Sequence, residues 1–161
     1  AMIGRPDLLI ADEPTTALDV SVQAQILKQI KSNVAEYHMG VVLITHNLGV
    51  VAQTCSHVAV MYAGNIVESG PVAAVIGDPV HPDTRALLSA IPTKNTKRGA
   101  LKGLAGTVPN LLQPPPGCRF APRCAFAQPV CSNSTPPPEP VGIDHSVACI
   151  RAAEMEALTD A

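Results

Sequence analysis

Four apolar residues, Leu8-Leu9-Ile10-Ala11, run directly into two adjacent carboxylates, Asp12 and Glu13. An apolar run with no polar alternation predicts a buried strand rather than one with a solvent face. Acids at the carboxyl end of such a strand lie at the sheet edge where parallel α/β sheets bind ligands. Carboxylates are hard oxygen donors, suited to magnesium and the phosphates it accompanies, and the second acid can polarise a water. Pro14 favours a turn directly after the pair. On the two acids alone, a strand ending in solvated carboxylates before a turn is an equally good account.

The next segments alternate helix and strand. Asp7 to Asp12 is the first strand, and Asp19 is suited to cap a helix that runs to about Met39. Val20, Leu27 and Val34, with Ala24 and Ile30 between them, predict one apolar stripe on that helix, and Gly40 is expected to end it. Val41 to Thr45 reads as a second buried strand, ending in His46-Asn47. A short helix from about Leu48 to Cys55 follows, then a strand from His57 to Tyr62, a turn at Ala63-Gly64-Asn65 and a strand at Ile66 to Glu68. Strand–helix–strand with apolar strands implies parallel pairing and a right-handed crossover, with the hairpin as an antiparallel edge. Adjacent parallel strands bring Asp12, Glu13 and His46 to the same edge. A histidine after a strand is otherwise most often structural.

Composition shifts after residue 78. Most of the 16 prolines lie beyond it, notably Pro114-Pro115-Pro116 and Pro136 to Pro140, and four of the five cysteines follow at Cys118, Cys124, Cys131 and Cys149. Residues 1–78 and 79–161 are therefore expected to be separate domains. In the second, His81 to Ala90 predicts a short helix with Pro82 in its first turn, Lys94 to Gly99 a polar linker, and Leu101 to Leu104 a short strand. With no Trp, two Tyr and two Phe, the core must be largely aliphatic, and the second part needs a staple. The 11 Lys+Arg against 13 Asp+Glu give no basic excess for nucleic acid. No apolar run approaches the ~20 residues of a membrane span, and no signal-peptide pattern opens the chain. Ala1 to Pro6 reads as the end of a helix leading into a strand, so the chain is expected to begin in mid-domain.

The cysteine spacing is C-x5-C-x6-C-x17-C. Four thiolates can close a tetrahedral metal site or hold an iron–sulfur cluster. Zinc sites favour C-x2-C knuckles, which this group lacks. Two disulfides and four unligated core cysteines are the other accounts. Cys55, beside Val50 and Val51, reads as a buried, inert thiol. His145 is a structural residue or a substitute ligand. His38, His57 and His81 have no partner legible in the sequence.

The run from Leu8 through Pro14-Thr15-Thr16-Ala17-Leu18-Asp19 resembles the Walker B strand and D-loop of ABC-type ATPases, and His46 resembles their H-switch. Asn47 departs from the Asp usual after that histidine. His-Pro-x-Thr-Arg-Ala-Leu-Leu from His81, Gly106-x-Val108-Pro109 and Gly117-Cys118-x-Phe120-x-x-Arg123-Cys124 resemble the C-terminal extension of oligopeptide and dipeptide importer ATPases. The resemblance covers nearly the whole chain, in order. It implies a partial P-loop NTPase sheet with crossover helices, an α/β fold, followed by a small irregular cysteine-rich extension.

The resemblance also implies roles. Asp12 would hold magnesium through water, Glu13 would orient and polarise the attacking water, and His46 would contact the γ-phosphate. Thr16 to Asp19 would form the D-loop facing a second ATPase subunit, placing Asp19 among the nucleotide-site residues. Cys118, Cys124, Cys131 and Cys149 would hold a 4Fe–4S cluster, with zinc as the alternative, and Arg119 and Arg123 could offset its charge or lie as plain solvated surface. ATP and magnesium would be the other cofactors. Partners would be a like or unlike second ATPase subunit, transmembrane permease subunits at the cytoplasmic membrane face and, indirectly, an extracytoplasmic substrate-binding protein. A Gly-x-x-x-x-Gly-Lys-Ser/Thr phosphate loop and a Leu-Ser-Gly-Gly-like signature are absent from the 161 residues. Both are expected upstream of Ala1, so this chain alone is expected to bind ATP weakly and hydrolyse it barely. A non-catalytic metal- or cluster-dependent regulatory module is the alternative function, and a soluble ABC ATPase of repair or translation a third.

Overall fold

In the computed structural model, which describes residues 6–91, 104 and 106–155, the opening run forms strand β1, Leu8–Asp12. The chain is α/β and divides into two compact units, Ala1–Cys55 and Ser56–Ala161. The strand expected at Leu101 to Leu104 and the linker Lys94 to Gly99 fall outside the described residues, Leu104 excepted.

In the first unit β1 pairs in parallel with β2, Gly40–Ile44, in a register that sets Asp12 beside Ile44. Helix α1, Val20–Tyr37, crosses between them, and α2, Leu48–Thr54, follows. Asp19 caps α1, its Oδ1 accepting the amide of Val22 at 2.9 Å. Two local expectations change. The helix closes on His38 in the left-handed region, φ 52°, while Gly40 opens β2, its amide donating to the Asp7 carbonyl at 2.8 Å. The covered stripe of α1 follows Gln23, Ile26, Leu27, Ile30, Asn33 and Val34, whereas Val20 and Ala24 are exposed. This is the i, i+3, i+4 face of a helix, which a seven-residue repeat samples only in part.

The strands are also not buried on both faces. Leu8, Ile10, Val42 and Ile44 are exposed, Ile10 at 64 %, while Leu9, Ala11, Val41 and Leu43 turn to the covered side. The pleat sends alternate side chains to opposite faces, and among the described residues only one face of this sheet is covered. Cys55 is half-buried at the C-terminus of α2 rather than buried on its face, and Val50 and Val51 take the buried positions.

The second unit is built on the hairpin of β3, His57–Tyr62, and β4, Asn65–Pro71. Ala63 and Gly64 both have positive φ, 49° and 84°, as a two-residue hairpin turn with the right twist requires. The hairpin joins an antiparallel sheet of order β3-β4-β6-β5, where β5 is Glu139–Gly142 and β6 is His145–Val147. It is thus part of a four-stranded sheet, with strands from the proline-rich region beside it. Helices α3, Val72–Gly77, and α4, Pro82–Ser89, follow β4; α5 is the short Pro129–Asn133. Val60, Tyr62, Val67, Val75 and Phe120 form the core, with Tyr62 and Phe120 edge to face at 5.1 Å.

A buried carboxylate holds these pieces in register. Glu68, 1 % exposed, accepts the amides of Val80 at 2.8 Å and His81 at 3.0 Å, and its Oε1 lies 2.9 Å from His145 Nε2. One side chain thereby ties β4 to the start of α4 and to β6. Leaving a buried hydrogen-bonding group of this kind unmet costs about 1–3 kcal/mol, and more when it is charged.

The cysteine region closes by backbone contact. The Cys118 amide donates to the Cys131 carbonyl at 2.7 Å, and a Cβ on Gly117 would lie 2.3 Å from that same oxygen. Gly117→Ala is therefore expected to destabilise the second unit by at least the ~1–3 kcal/mol of ordinary overpacking. A urea unfolding midpoint within error of the parent would refute this reading of the contact.

Candidate functional site

The parallel register of β1 and β2 brings the acid pair and the histidine together. Just past the strands, the Glu13 amide donates to the Ile44 carbonyl at 2.9 Å, so the ladder continues one residue beyond Asp12. Glu13 sits at φ 47°, a left-handed conformation that is uncommon for a non-glycine residue. Its Oε1 lies 2.7 Å from His46 Nδ1, and its Oε2 accepts the Thr16 hydroxyl. The Thr16 hydrogen bond first, and His46 second, hold its carboxyl below the usual range. Glu13 is thus an ionised acceptor at neutral pH, poised on an exposed edge. Asp12 is exposed next to it.

The flanking turns are set by capping. Asn47 Oδ1 accepts the amides of Gly49 at 3.0 Å and Val50 at 3.2 Å, so Asn47 caps α2. Asn and Asp are nearly equivalent at such a cap, which gives the departure at this position a physical account. Asp19 Oδ1 accepts from Val22 and from the Ser21 hydroxyl. These hydrogen bonds, Ser21 first, hold its carboxyl below the usual range.

In the second unit the four cysteines line one cavity, and none is bridged. Phe120, Phe126, Ile150 and Met155 supply its apolar wall. Burial pushes the Cys118, Cys124 and Cys149 thiols up. Among the described residues, no three His, Cys, Asp or Glu are placed to hold a metal ion.

The flanking arginines serve the scaffold. Arg119 donates to the Ala63 carbonyl and so pins the hairpin turn. Arg123 lies over the Tyr62 ring, 5.8 Å from its centroid, and donates to Leu104 O at 3.4 Å. Neither lines the cavity, and both are half-buried rather than plain surface. The cavity's cation is Arg151, which sequence reasoning passed over.

Residues 67–131 match the family described as oligopeptide/dipeptide transporter, C-terminal region. The match opens on Val67 in the core and closes on Cys131, the third cysteine. Over 98 % of its length the chain is 50 % identical to a protein of Brucella ovis named a peptide import ATP-binding protein, and likewise to one of Brucella melitensis. A Brucella abortus protein of the same name is 48 % identical over 84 % of the chain. Along nearly its whole length the chain is thus similar to proteins named for ATP binding in peptide import, and residues 67–131 are similar to the C-terminal region of oligopeptide/dipeptide transporters. It spans about half the length of the curated relatives it matches, 48 % and 41 % in these cases.

In the second unit, His81 and Asp83 also acquire roles that no local pattern announced. His81 Nδ1 accepts the Asp83 amide at 3.1 Å as the cap of α4, and its ring packs on Phe120 at 5.7 Å. Burial holds the His81 imidazole down to about 4, opposed by the charge of Glu68. Burial pushes the Asp83 carboxyl up to about 6, opposed by Arg123. Asp83 Oδ2 and Thr84 Oγ1 are buried without a hydrogen-bond partner among the described residues. His145, bonded to Glu68, is structural.

These two groups oppose each other in pH. His81 takes up a proton near 6.5 when unfolded but only near 4 when folded, so its contribution is full above 6.5 and is lost as pH falls through about 4. Asp83 has the reverse sign: its contribution is full below about 4 and is lost as pH rises through about 6. His81→Asn keeps a cap acceptor and removes the titration. The stability of this variant relative to the parent is expected to fall by up to roughly 3 kcal/mol between pH 4 and 6.5. Parallel urea midpoints across that range check it; a pH-independent difference would contradict the burial of His81 as a neutral ring.

Proposed function

We propose that the chain is the hydrolytic edge and C-terminal extension of an ATP-hydrolysing, energy-coupling subunit of an ABC-type di- and oligopeptide importer. The contact between Glu13 and His46 at the carboxyl ends of two parallel strands is the observation that carries this reading. In it, residues 1–78 are the later part of the ATPase domain, a partial P-loop NTPase sheet, and 79–161 are the extension. The hairpin before that boundary shares a sheet with β5 and β6 beyond it.

Phosphoryl transfer asks chiefly for positioning and charge neutralisation. Asp12 would hold magnesium through water. Glu13, ionised and fixed by Thr16 and His46, would orient the attacking water and draw off its proton. With His46 Nδ1 turned to Glu13, Nε2 is the ring nitrogen left to meet a γ-phosphate oxygen. Thr16 to Asp19 would face a second ATPase subunit, like or unlike, where Leu18 is exposed. Among the described residues no helix is long and apolar enough to cross a membrane. In this reading the permease subunits would be separate chains at the cytoplasmic membrane face, with an extracytoplasmic binding protein delivering peptide to them.

The four cysteines fit a 4Fe–4S cluster by donor set: four unbridged thiols line one apolar-walled cavity. Zinc is the alternative occupant of the same four thiols; among the described residues no three His, Cys, Asp or Glu are placed to hold a metal ion of either kind, so the reading is supported by the donor set. When bound, a cluster would cross-link the three segments that carry the cysteines and offer one-electron chemistry.

In the full-length subunit, Glu13→Gln is expected to lower ATP turnover by at least about 100-fold while nucleotide binding persists; normal turnover would remove Glu13 as the base. Anaerobically purified protein is expected to be brown and to contain iron and acid-labile sulfide. Zinc without iron would overturn the cluster assignment. By calorimetry the 161-residue chain should bind ATP weakly, since the phosphate loop is not in it.

A further inference from the structure

We propose that Arg151 is the residue that sets the electrostatics of the four-cysteine cavity, and thereby the reduction potential of the cluster it would hold. The inference rests on the cluster reading above. Its grounds are positional. Arg151 lines the cavity with all four cysteines, and the remaining wall is largely apolar. His81, the other nitrogen base there, is neutral at physiological pH because its imidazole is held down to about 4.

The guanidinium is held on both sides. Arg151 Nη1 donates to the Phe126 carbonyl at 2.7 Å, and Nε and Nη2 reach Glu154 Oε2 at 2.9 and 2.6 Å. The arginine side chain is only 13 % exposed, whereas that of Glu154 is 59 % exposed. Water therefore screens the carboxylate far more than the guanidinium. The guanidinium is thus the less screened charge of the pair, and it is the one on the cavity wall. A fixed cation beside a group that gains an electron favours the reduced, more negative state. Glu154 partly offsets it from the solvent side. Arg119 and Arg123, nearer the cysteines in sequence, are engaged with the hairpin turn and the Tyr62 ring.

The test is potentiometry, followed by electron paramagnetic resonance, on anaerobically purified protein with iron and sulfide quantified in each sample. Arg151→Gln is expected to load iron and sulfide as the parent does and to make reduction about tenfold less favourable, a 59 mV downward shift for one electron. Arg151→Lys should recover part of that shift, and Glu154→Gln should move the potential upward. A loaded Arg151→Gln protein with the parent potential overturns this inference alone. Should Arg151→Gln fail to load, Glu154→Gln decides: no upward shift overturns the inference. Absence of iron and sulfide from the parent protein overturns the cluster reading and this inference together.

Discussion

A carboxylate at the centre of a folded unit must be met by donors on every side or it drives the unit apart. Glu68 is that group here. Its two oxygens take the amides of Val80 and His81, at the entrance to α4, and the ring nitrogen of His145 in β6. The hairpin, the entrance to α4 and the edge of β6 are thereby fixed relative to one another. The aliphatic core and Phe120 pack around this arrangement. Because His81 receives its backbone position from Glu68 and packs at a tilt against Phe120, the cavity wall depends on the same carboxylate.

The first unit depends on a different constraint, strand register. Parallel pairing of Leu8 with Gly40 through Asp12 with Ile44 leaves Glu13 and His46 at one edge. Helix caps then set the exits: Asp19 starts α1 and Asn47 starts α2, so the acid and the histidine are each followed by a structured turn or helix. Glu13 pays for its place with an uncommon backbone conformation, and the hydrogen bonds from Thr16 and His46 oppose that cost. Strain of this kind gathers at sites that need a side chain aimed rather than buried.

Much of this was legible beforehand because it is local. Strand β1, the Asp19 cap, the Ala63-Gly64 turn and the helix with Pro82 in its first turn each follow from a few neighbouring residues. Where sequence reasoning slipped, longer-range geometry was at fault. Apolar β1 and β2 read as buried on both faces, but only one face is covered among the described residues. Gly40 read as a helix stop, but its amide is needed to open the β ladder, and His38 takes the left-handed position.

By itself the sequence determined the chemistry on offer: a strand ending in two acids, a histidine one crossover later, and four cysteines in a proline-rich stretch. Tertiary structure alone decided which groups meet. Glu68 and His145 are 77 residues apart, and Arg119 reaches a carbonyl 56 residues away. No periodicity or turn rule links such positions, because their encounter is set by how β4, β6 and the hairpin pack. The cavity's arginine illustrates the same point. Proximity in the chain favoured Arg119 and Arg123, but packing turned both toward the hairpin and left Arg151 among the thiols.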